Sequence, residues 1–201
     1  MRNLAAILCA ATVLCGCATG PDWKRQLYSF STPADPTNSD TQSNTVALNR
    51  VAISPLFQSH SFTYRTAENS YEQDPYAGFL IPPERALAES IRAFMRAGAF
   101  GRVVEPGSGL TPNMVAEVFI TELYGDFRKA SQPEGKMELH FMCYEVKDGM
   151  PARVVLDKVC SRATPLNGKT PAALMVAWDA DLREIMGEIN TEFAKTKPNE
   201  R

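Results

Sequence analysis

The sequence predicts an α+β fold: a single domain in which a mainly antiparallel sheet carries two helices packed on one face. Two segments with helical apolar spacing, and several β-favouring runs separated by turn residues, support this prediction. The chain has 201 residues, 44% hydrophobic and 22% charged, so it is long enough to bury one ordinary core. A sheet with one face covered by helices is a common way to build such a core.

The strands are predicted where β-favouring side chains form short runs. A polar stretch at 32–45, rich in Ser, Thr, Pro, Asp and Asn, indicates a mobile loop after the first strand. Residues 57–79 contain many aromatic side chains but no sustained periodicity, so the sequence pattern leaves their local structure undecided. A turn at Asp148-Gly149 connects the last two strands. The predicted strands are residues 27–30, 48–55, 102–105, 114–124, 137–146 and 153–160.

Two helices are predicted from apolar residues that recur every three or four positions. Pro82-Pro83 begins the first helix, because proline is tolerated in the first turn, and Gly98 suits the left-handed position that ends it. Thr170-Pro171 begins the second helix. The apolar stripes are Leu87, Ile91, Phe94 and Met95 in the first helix, and Leu174, Trp178, Leu182, Ile185, Ile189 and Phe193 in the second.

The first sixteen residues have the features of an export signal. Arg2 is followed by an apolar run from Leu4 to Leu14, which is too short to span a bilayer but has the length of a signal-peptide core. The alternative is a buried N-terminal helix, although a helix without a polar face fits poorly at a chain end.

The segment Leu14-Cys15-Gly16-Cys17 resembles the lipobox of bacterial lipoproteins, with an aliphatic residue, a small residue and then a cysteine. This resemblance implies cleavage before Cys17 and acyl chains on that residue, which together anchor a protein stably to a membrane. Ala18 stands where inner-membrane lipoproteins of enteric bacteria carry aspartate, so the resemblance implies the periplasmic face of the outer membrane.

The chain therefore divides into a signal peptide at 1–16, a lipid-anchored tether at 17–25 and a folded domain at 26–198. The nine residues between Cys17 and Leu27 reach about 30 Å when fully extended, so the domain must lie close to its membrane.

The charge of the mature chain argues against nucleic acid as a partner. Arg2 is the one charged residue before Cys17, so the remainder carries 20 basic and 23 acidic side chains, a net charge near −3. Nucleic-acid binding needs a concentrated basic face, and a polybasic route to membranes needs the same excess of cations.

Several short motifs follow Cys17 in a fixed order, and together they resemble the ABC-type transport auxiliary lipoprotein family, the PqiC-like lipoproteins of MCE transport systems. The resemblance covers residues 27–193. The motifs are Leu27-Tyr28-Ser29-Phe30, Val51-Ala52-Ile53-Ser54-Pro55, Phe62-Thr63-Tyr64-Arg65, Tyr76-Ala77-Gly78-Phe79 and Ile120-Thr121-Glu122-Leu123-Tyr124-Gly125-Asp126-Phe127.

The resemblance implies an accessory subunit that docks an MCE-domain protein, and through it an inner-membrane ABC transporter. Such systems are thought to move phospholipid or other hydrophobic molecules between the two membranes. The resemblance implies no enzyme activity, and no cofactor is expected. A homo-oligomer remains possible.

The sequence shows no arrangement typical of a catalytic or metal site. His60 and His140 have no partners at metal-ligand spacing, and His140 is expected to face solvent from a strand. Specific binding surfaces are often anchored by aromatic residues and arginine, and residues 57–79 concentrate both. The candidate contacts with a partner or lipid are Tyr64, Arg65, Tyr71 and Tyr76. The alternative is a loop held down by its own aromatic rings, in which Arg65 binds loop carbonyls or a carboxylate.

Cys143 and Cys160 are a candidate disulfide. A spare pair of cysteines in an oxidising compartment is usually bonded, and the turn at Asp148-Gly149 would bring their strands side by side. The alternative is two buried thiols that pack as small hydrophobic groups.

Two other functions compete with transport docking. One is a structural envelope lipoprotein, or a plug or chaperone of an outer-membrane pore. The other is a periplasmic hydrolase, which the missing catalytic motifs disfavour.

Replacing Cys17 with alanine should abolish lipidation, because the thiolate of this residue receives the diacylglycerol. Metabolic labelling with palmitate measures this directly, and Cys9→Ala is the matched control that should keep its label. Undiminished labelling of Cys17→Ala would show that the acyl chains are attached elsewhere.

Overall fold

The structure is a computed structural model that describes residues 24–33 and 44–196. The predicted signal peptide, Cys17 and most of the predicted loop at 32–45 lie outside the described residues. Within the described part of the chain, no helix is long and apolar enough to cross a bilayer.

The described residues form one mixed sheet and two α-helices, which confirms the predicted α+β class. A single 3-10 turn, Pro55–Phe57, follows the second strand. The strands are β1 Gln26–Tyr28, β2 Thr45–Ile53, β3 Ser61–Ala67, β4 Ser70–Phe79, β5 Arg102–Val104, β6 Met114–Asp126, β7 Glu134–Lys147 and β8 Met150–Pro165. The helices are α1 Pro83–Ala97 and α2 Pro171–Lys195.

Strand β6 organises the sheet because it is long enough to pair with three other strands. One edge of β6 pairs with β7, which pairs in turn with β8, and both ladders are antiparallel. The other edge is shared by two parallel partners, β2 along its first half and β3 at Gly125 and Asp126. β5 adds to β2, and β4 and then β1 add to β3. The longest ladders are antiparallel, as predicted, but β1, β2, β3 and β5 each take part in a parallel pair.

The core lies between the helices and one face of the sheet. Alternate residues of β6 and β7 are buried on this face, while the residues between them are more exposed. Every member of the predicted apolar stripe of α2 is buried, as are Leu87, Ile91 and Met95 of α1. Thr170 caps α2 as predicted, because its side chain accepts a hydrogen bond from the Ala173 amide at 3.2 Å.

Helix α2 lies directly on two glycines that face each other across β6 and β7. Gly125 pairs with Gly135 in the register, and a methyl group on Gly135 would lie 2.8 Å from the Ala177 side chain. Trp178 is fully buried beside them, with its ring centroid 5.0 Å from Phe62 and 5.7 Å from Phe79. Its indole N–H donates to the carbonyl of Tyr124 at 3.4 Å. Larger residues at either glycine would push the helix off the sheet.

The segment 57–79, whose local structure the sequence pattern left undecided, is mostly a β-hairpin of β3 and β4. Its register shifts by one residue between Ala67–Ser70 and Arg65–Tyr71, runs regularly from there to Thr63–Gln73 and then jumps to Ser61–Gly78. The extra residues of β4 form a bulge, where the Asp74 carboxylate accepts the amide hydrogens of Tyr76 and Ala77 at 2.8 and 2.9 Å. A bulge shifts the side-chain alternation, which explains why no strand period was visible in the sequence.

Two predicted boundaries were wrong. Gly98 follows α1 in an extended conformation with φ −103°, not in the left-handed one. A side chain at Gly98 would instead collide with the Asn190 carboxamide of α2, so close packing of the helices requires this glycine. The predicted loop at 32–45 also ends too late, because Asn44 is buried and Thr45 already belongs to β2.

Asp181 of α2 is a carboxyl group buried in the helix–sheet interface. Its Oδ1 atom accepts a hydrogen bond from the Thr164 hydroxyl of β8 at 2.6 Å, and Oδ2 has no partner among the described residues. Burial, with a smaller effect of Glu184, raises the pKa of Asp181 to about 6, although the hydrogen bond from Thr164 and the charges of Arg162 and Lys136 lower it. Folding therefore favours the protonated form of this group.

Asp181→Asn should stabilise the protein at neutral pH by on the order of 2 kcal/mol, because the buried charge is removed while Thr164 keeps an acceptor. The pKa of Asp181 in the folded state exceeds its value of about 3.9 in the unfolded state. The wild type therefore loses stability relative to the variant as the pH rises from about 4 to about 6 and Asp181 ionises. Urea unfolding across this range should show the two proteins converging in acid. The exposed carboxylate Glu89→Gln is the matched control, and a constant offset at every pH would contradict the prediction.

Candidate functional site

Four side chains form a cluster on the sheet face opposite the helices, and we call it the arginine–tyrosine cluster: Phe57, Arg65, Tyr71 and Tyr124. Arg65 of β3 pairs with Tyr71 of β4, so both side chains project from the same face. The guanidinium carbon of Arg65 lies 5.6 Å from the centre of the Tyr71 ring and 5.9 Å from that of Tyr124. These distances are typical of cation–π contacts.

The three rings of the cluster pack against one another in a fixed arrangement. Tyr124 stacks on Phe57 with centroids 5.6 Å apart, and Tyr71 meets Tyr124 edge-to-face at 5.8 Å. The 3-10 turn after β2 brings Phe57 over the sheet. Phe57 and Tyr124 are buried, whereas Tyr71 is 40% exposed. Tyr71 is therefore the exposed ring on a buried aromatic base.

Hydrogen bonds fix the arginine of the cluster in place. Its Nη1 donates to the Tyr124 hydroxyl at 3.4 Å, and its Nε donates to the carbonyl of Glu68 at 3.2 Å. The bond to Tyr124 raises the pKa of Arg65, and burial raises the pKa of Tyr124. Both groups consequently stay protonated at neutral pH, and the cluster presents a fixed positive charge next to an exposed ring.

A polar cleft of about 410 Å³ lies beside the cluster, at the end of β6. Arg128 forms ion pairs in it with Asp126 at 2.7 Å and with Glu68 at 3.0 Å, and Glu68 also pairs with Arg65 at 3.4 Å. Hydrogen bonds from Arg128 hold the pKa of Asp126 below its usual value. The lining residues are Glu68, Asp126, Arg128, Lys129, Gln132, Glu134 and Lys136.

The charges of this cleft nearly cancel, because three acidic and three basic side chains line it. The ion pairs of Arg128 connect the loop after β6 to Glu68 in the β3–β4 turn. The lining of the cleft therefore has no excess charge to bind an ionic ligand. Elsewhere in the described part of the chain, no group of three or more His, Cys, Asp or Glu side chains is placed to hold a metal ion.

The other two predicted contact residues lie apart from the cluster. Tyr64 projects from the opposite face of β3, where its hydroxyl donates to Asp74 at 2.6 Å and its ring contacts Phe127 with centroids 5.1 Å apart. Burial raises the pKa of this phenol. Tyr64 is thus part of the packing under α2, while Tyr76 lies in the bulge of β4 and is 48% exposed.

The sheet face opposite the helices also contains His140, as expected for a strand histidine that faces solvent. Its side chain is 38% exposed, and its Nε2 atom hydrogen-bonds the carboxylate of Asp157 on β8. A shallow cleft of about 330 Å³ lies between this histidine, Phe119 and Arg50.

The candidate disulfide between Cys143 and Cys160 is not formed, and both thiols are buried and free. Cys143 pairs with Leu156 across the β7–β8 ladder, and Cys160 pairs with Leu139. The two cysteines share a face but lie four positions apart along the strands, about 13 Å at the usual rise per residue. A disulfide requires Cα atoms within about 7 Å.

Sequence reasoning missed Tyr124, Glu68, Arg128 and Asp126 as neighbours of Arg65. Glu68 is close in sequence, but Tyr124 is 59 positions away and meets Arg65 because β3 pairs in parallel with the end of β6. Nothing in either segment indicates that pairing. Arg128 and Asp126 are two positions apart after a long strand, and that spacing of opposite charges was the one available signal.

No protein-family model matches the chain, and no curated protein matches it in sequence. Among solved structures, protein XCC0632 from Xanthomonas campestris, of family DUF330, is 19% identical with a TM-score of 0.63 over 83% of this chain and 90% of that one. An uncharacterized protein has a TM-score of 0.66 at 10% identity, covering 84% of this chain and 98% of that one. These likenesses show a shared fold.

A lipoprotein also occurs among the structural neighbours. Lipoprotein GNA1162 from Neisseria meningitidis is 11% identical with a TM-score of 0.30, over 71% of this chain and 97% of that one. A TM-score of this size is too low to indicate a common fold.

Cys143 and Cys160 should resist alkylation in the native protein and react fully once it unfolds. Burial raises the pKa of Cys143 to about 12 and also raises that of Cys160, so little reactive thiolate forms at neutral pH. Mass spectrometry after iodoacetamide treatment, with and without urea, counts the modified thiols. Two cysteines that stay unmodified in urea but react after reduction would show a disulfide instead.

Proposed function

We propose that this protein is a lipoprotein of the outer membrane, which docks an MCE-domain protein and through it an inner-membrane ABC transporter. The observation that carries the proposal is the ordered set of motifs behind the lipobox at Leu14 to Cys17. The fold that the chain shares with a DUF330 protein over 83% of its length supports it. In such an assembly the protein would serve the movement of phospholipid or other hydrophobic molecules.

The proposed role requires a surface for specific binding, and the arginine–tyrosine cluster supplies one. Tyrosine and arginine are the residue types most enriched among side chains that dominate binding energy. Tyr71 and Arg65 are held by Tyr124 and Phe57 before any partner arrives. Side chains that are already ordered lose little conformational entropy on binding, so more of the contact energy contributes to affinity.

The proposed mechanism is binding without chemistry. Arg65 and Tyr124 stay protonated near neutral pH, so the cluster offers a constant cation next to the exposed Tyr71 ring instead of a group that exchanges protons. An MCE partner with an acidic surface, or with a surface that accommodates an aromatic ring, would be complementary to the arginine–tyrosine cluster.

Affinity capture of the native lipoprotein from envelope membranes, with a tag at the C-terminus, tests the proposal. Recovery of an MCE-domain protein and an ABC permease is the expected result. Recovery of an outer-membrane pore protein alone would favour the structural or plug-like alternative and overturn the proposal.

Replacing Tyr71 and Tyr76 together with alanine should weaken capture of the MCE partner by more than about 1 kcal/mol, the usual threshold for a dominant contact. Affinity is measured by titrating the purified partner domain. The matched control is Val176→Ala, which removes part of a 69% exposed apolar side chain on α2 and should leave the affinity unchanged.

Thermal unfolding of the same double variant separates binding from folding. Loss of the Tyr71 contact with Tyr124 should lower the melting temperature only modestly, because Tyr71 is already 40% exposed and Tyr124 keeps its stacking contact with Phe57. Unchanged affinity combined with a large fall in melting temperature would mean that these rings serve the fold.

A further inference from the structure

Exposed apolar side chains gather at the corner of the sheet where β1 joins β4. Leu27 is 50% exposed and pairs with Gly78 in the parallel register of the two strands. Leu80 is 60% exposed and directly continues β4, with its amide donating to the carbonyl of Tyr28 at 2.7 Å. The two leucines are therefore neighbours across a short ladder and do not contribute to the core.

Alternation along the strands shows which face these leucines occupy. Tyr28 and Phe79, the paired residues beside them, point into the core, where Tyr28 contacts Phe62 and Phe79 stacks on Trp178. Leu27 and Leu80 precede and follow these residues, so they project from the face opposite the helices.

A cation lies on the same face as the leucines. The guanidinium of Arg25 lies over Gly78, where a methyl group would come within 3.0 Å of Nη2, and it donates to the Ser61 hydroxyl at 3.0 Å. Gly78 thus leaves room for the arginine to cross the strand. We call Arg25, Leu27 and Leu80 the corner patch.

The nearest acidic residues of β4 are directed to the other face. Asp74 binds the Tyr64 hydroxyl on the helix side, and Glu72 pairs with Tyr64 in the register. On this face Arg25 lies beside the leucines, whereas Arg65 lies at the other end of the hairpin, where it pairs with Glu68 at 3.4 Å. An apolar surface with an adjacent cation fits the headgroup region of an anionic bilayer.

We infer that the corner patch contacts the surface of the lipid bilayer to which Cys17 anchors the chain. The inference rests on the lipidation included in the proposed function. Eight residues separate Cys17 from β1, and they extend at most about 30 Å, so the patch cannot move far from the bilayer. A tether of this length gives a high effective concentration, which allows a small patch to bind repeatedly.

Quenching of tryptophan by brominated lipid tests the contact. Leu80→Trp and the control Val176→Trp are purified in lipidated form and placed in vesicles of phosphatidylethanolamine and phosphatidylglycerol with brominated chains. Both sites are more than half exposed, but Val176 lies on α2, in the layer opposite the corner patch. If the corner patch contacts the bilayer, Leu80→Trp should show more quenching than the wild type, and Val176→Trp should show no additional quenching. The quenching of Leu80→Trp should decrease when phosphatidylglycerol is replaced by phosphatidylcholine.

The outcomes separate this inference from the proposed function. A palmitate-labelled protein whose tryptophan at position 80 is quenched no more than that at position 176 would overturn the bilayer contact and leave the docking role intact. Equal quenching without phosphatidylglycerol would overturn the part assigned to Arg25. A wild-type chain that carries no palmitate would overturn the proposed function, and the inference with it.

Discussion

The seat of Trp178 and α2 on the glycine pair of β6 and β7 is the constraint on which the rest of the structure depends. Gly125 and Gly135 remove two side chains at facing positions, so the helix backbone comes close enough for Ala177 and Trp178 to pack on the strands. The indole reaches Phe62 of β3 and Phe79 of β4 from there. One residue thereby ties the terminal helix to the strands near the start of the domain.

This packing also determines which side chains project from the opposite face of the sheet. Since side chains alternate along a strand, fixing Phe62 and Tyr64 under the helix directs Arg65 to the open face. The parallel pairing of β3 with the end of β6 then brings Tyr124 under Arg65. The arginine–tyrosine cluster is therefore a consequence of the core, and its exposed ring is positioned by buried ones.

The parts of the fold that follow a regular period could be predicted from the sequence, and the parts governed by pairing could not. The stripe of α2 and the alternation of β7 repeat without interruption, so both elements were recognised. The hairpin of β3 and β4 was missed because the bulge after Gln73 breaks its period. Of the predicted contact residues, Arg65 and Tyr71 meet, but Tyr64 faces the core, and only strand register distinguishes these cases.

Strand β8 forms a long edge of the sheet, and its charged residues disfavour pairing of this edge with a strand of another copy of the protein. Arg153 and Asp157 bind Glu145 and His140 of β7, while Lys158 and Arg162 both pair with Glu188 of α2. A second chain that extended the sheet here would have to disturb these charges, and proline near each end of β8 provides no amide hydrogen. Copies of the protein at high local concentration are thus protected against edge-to-edge aggregation.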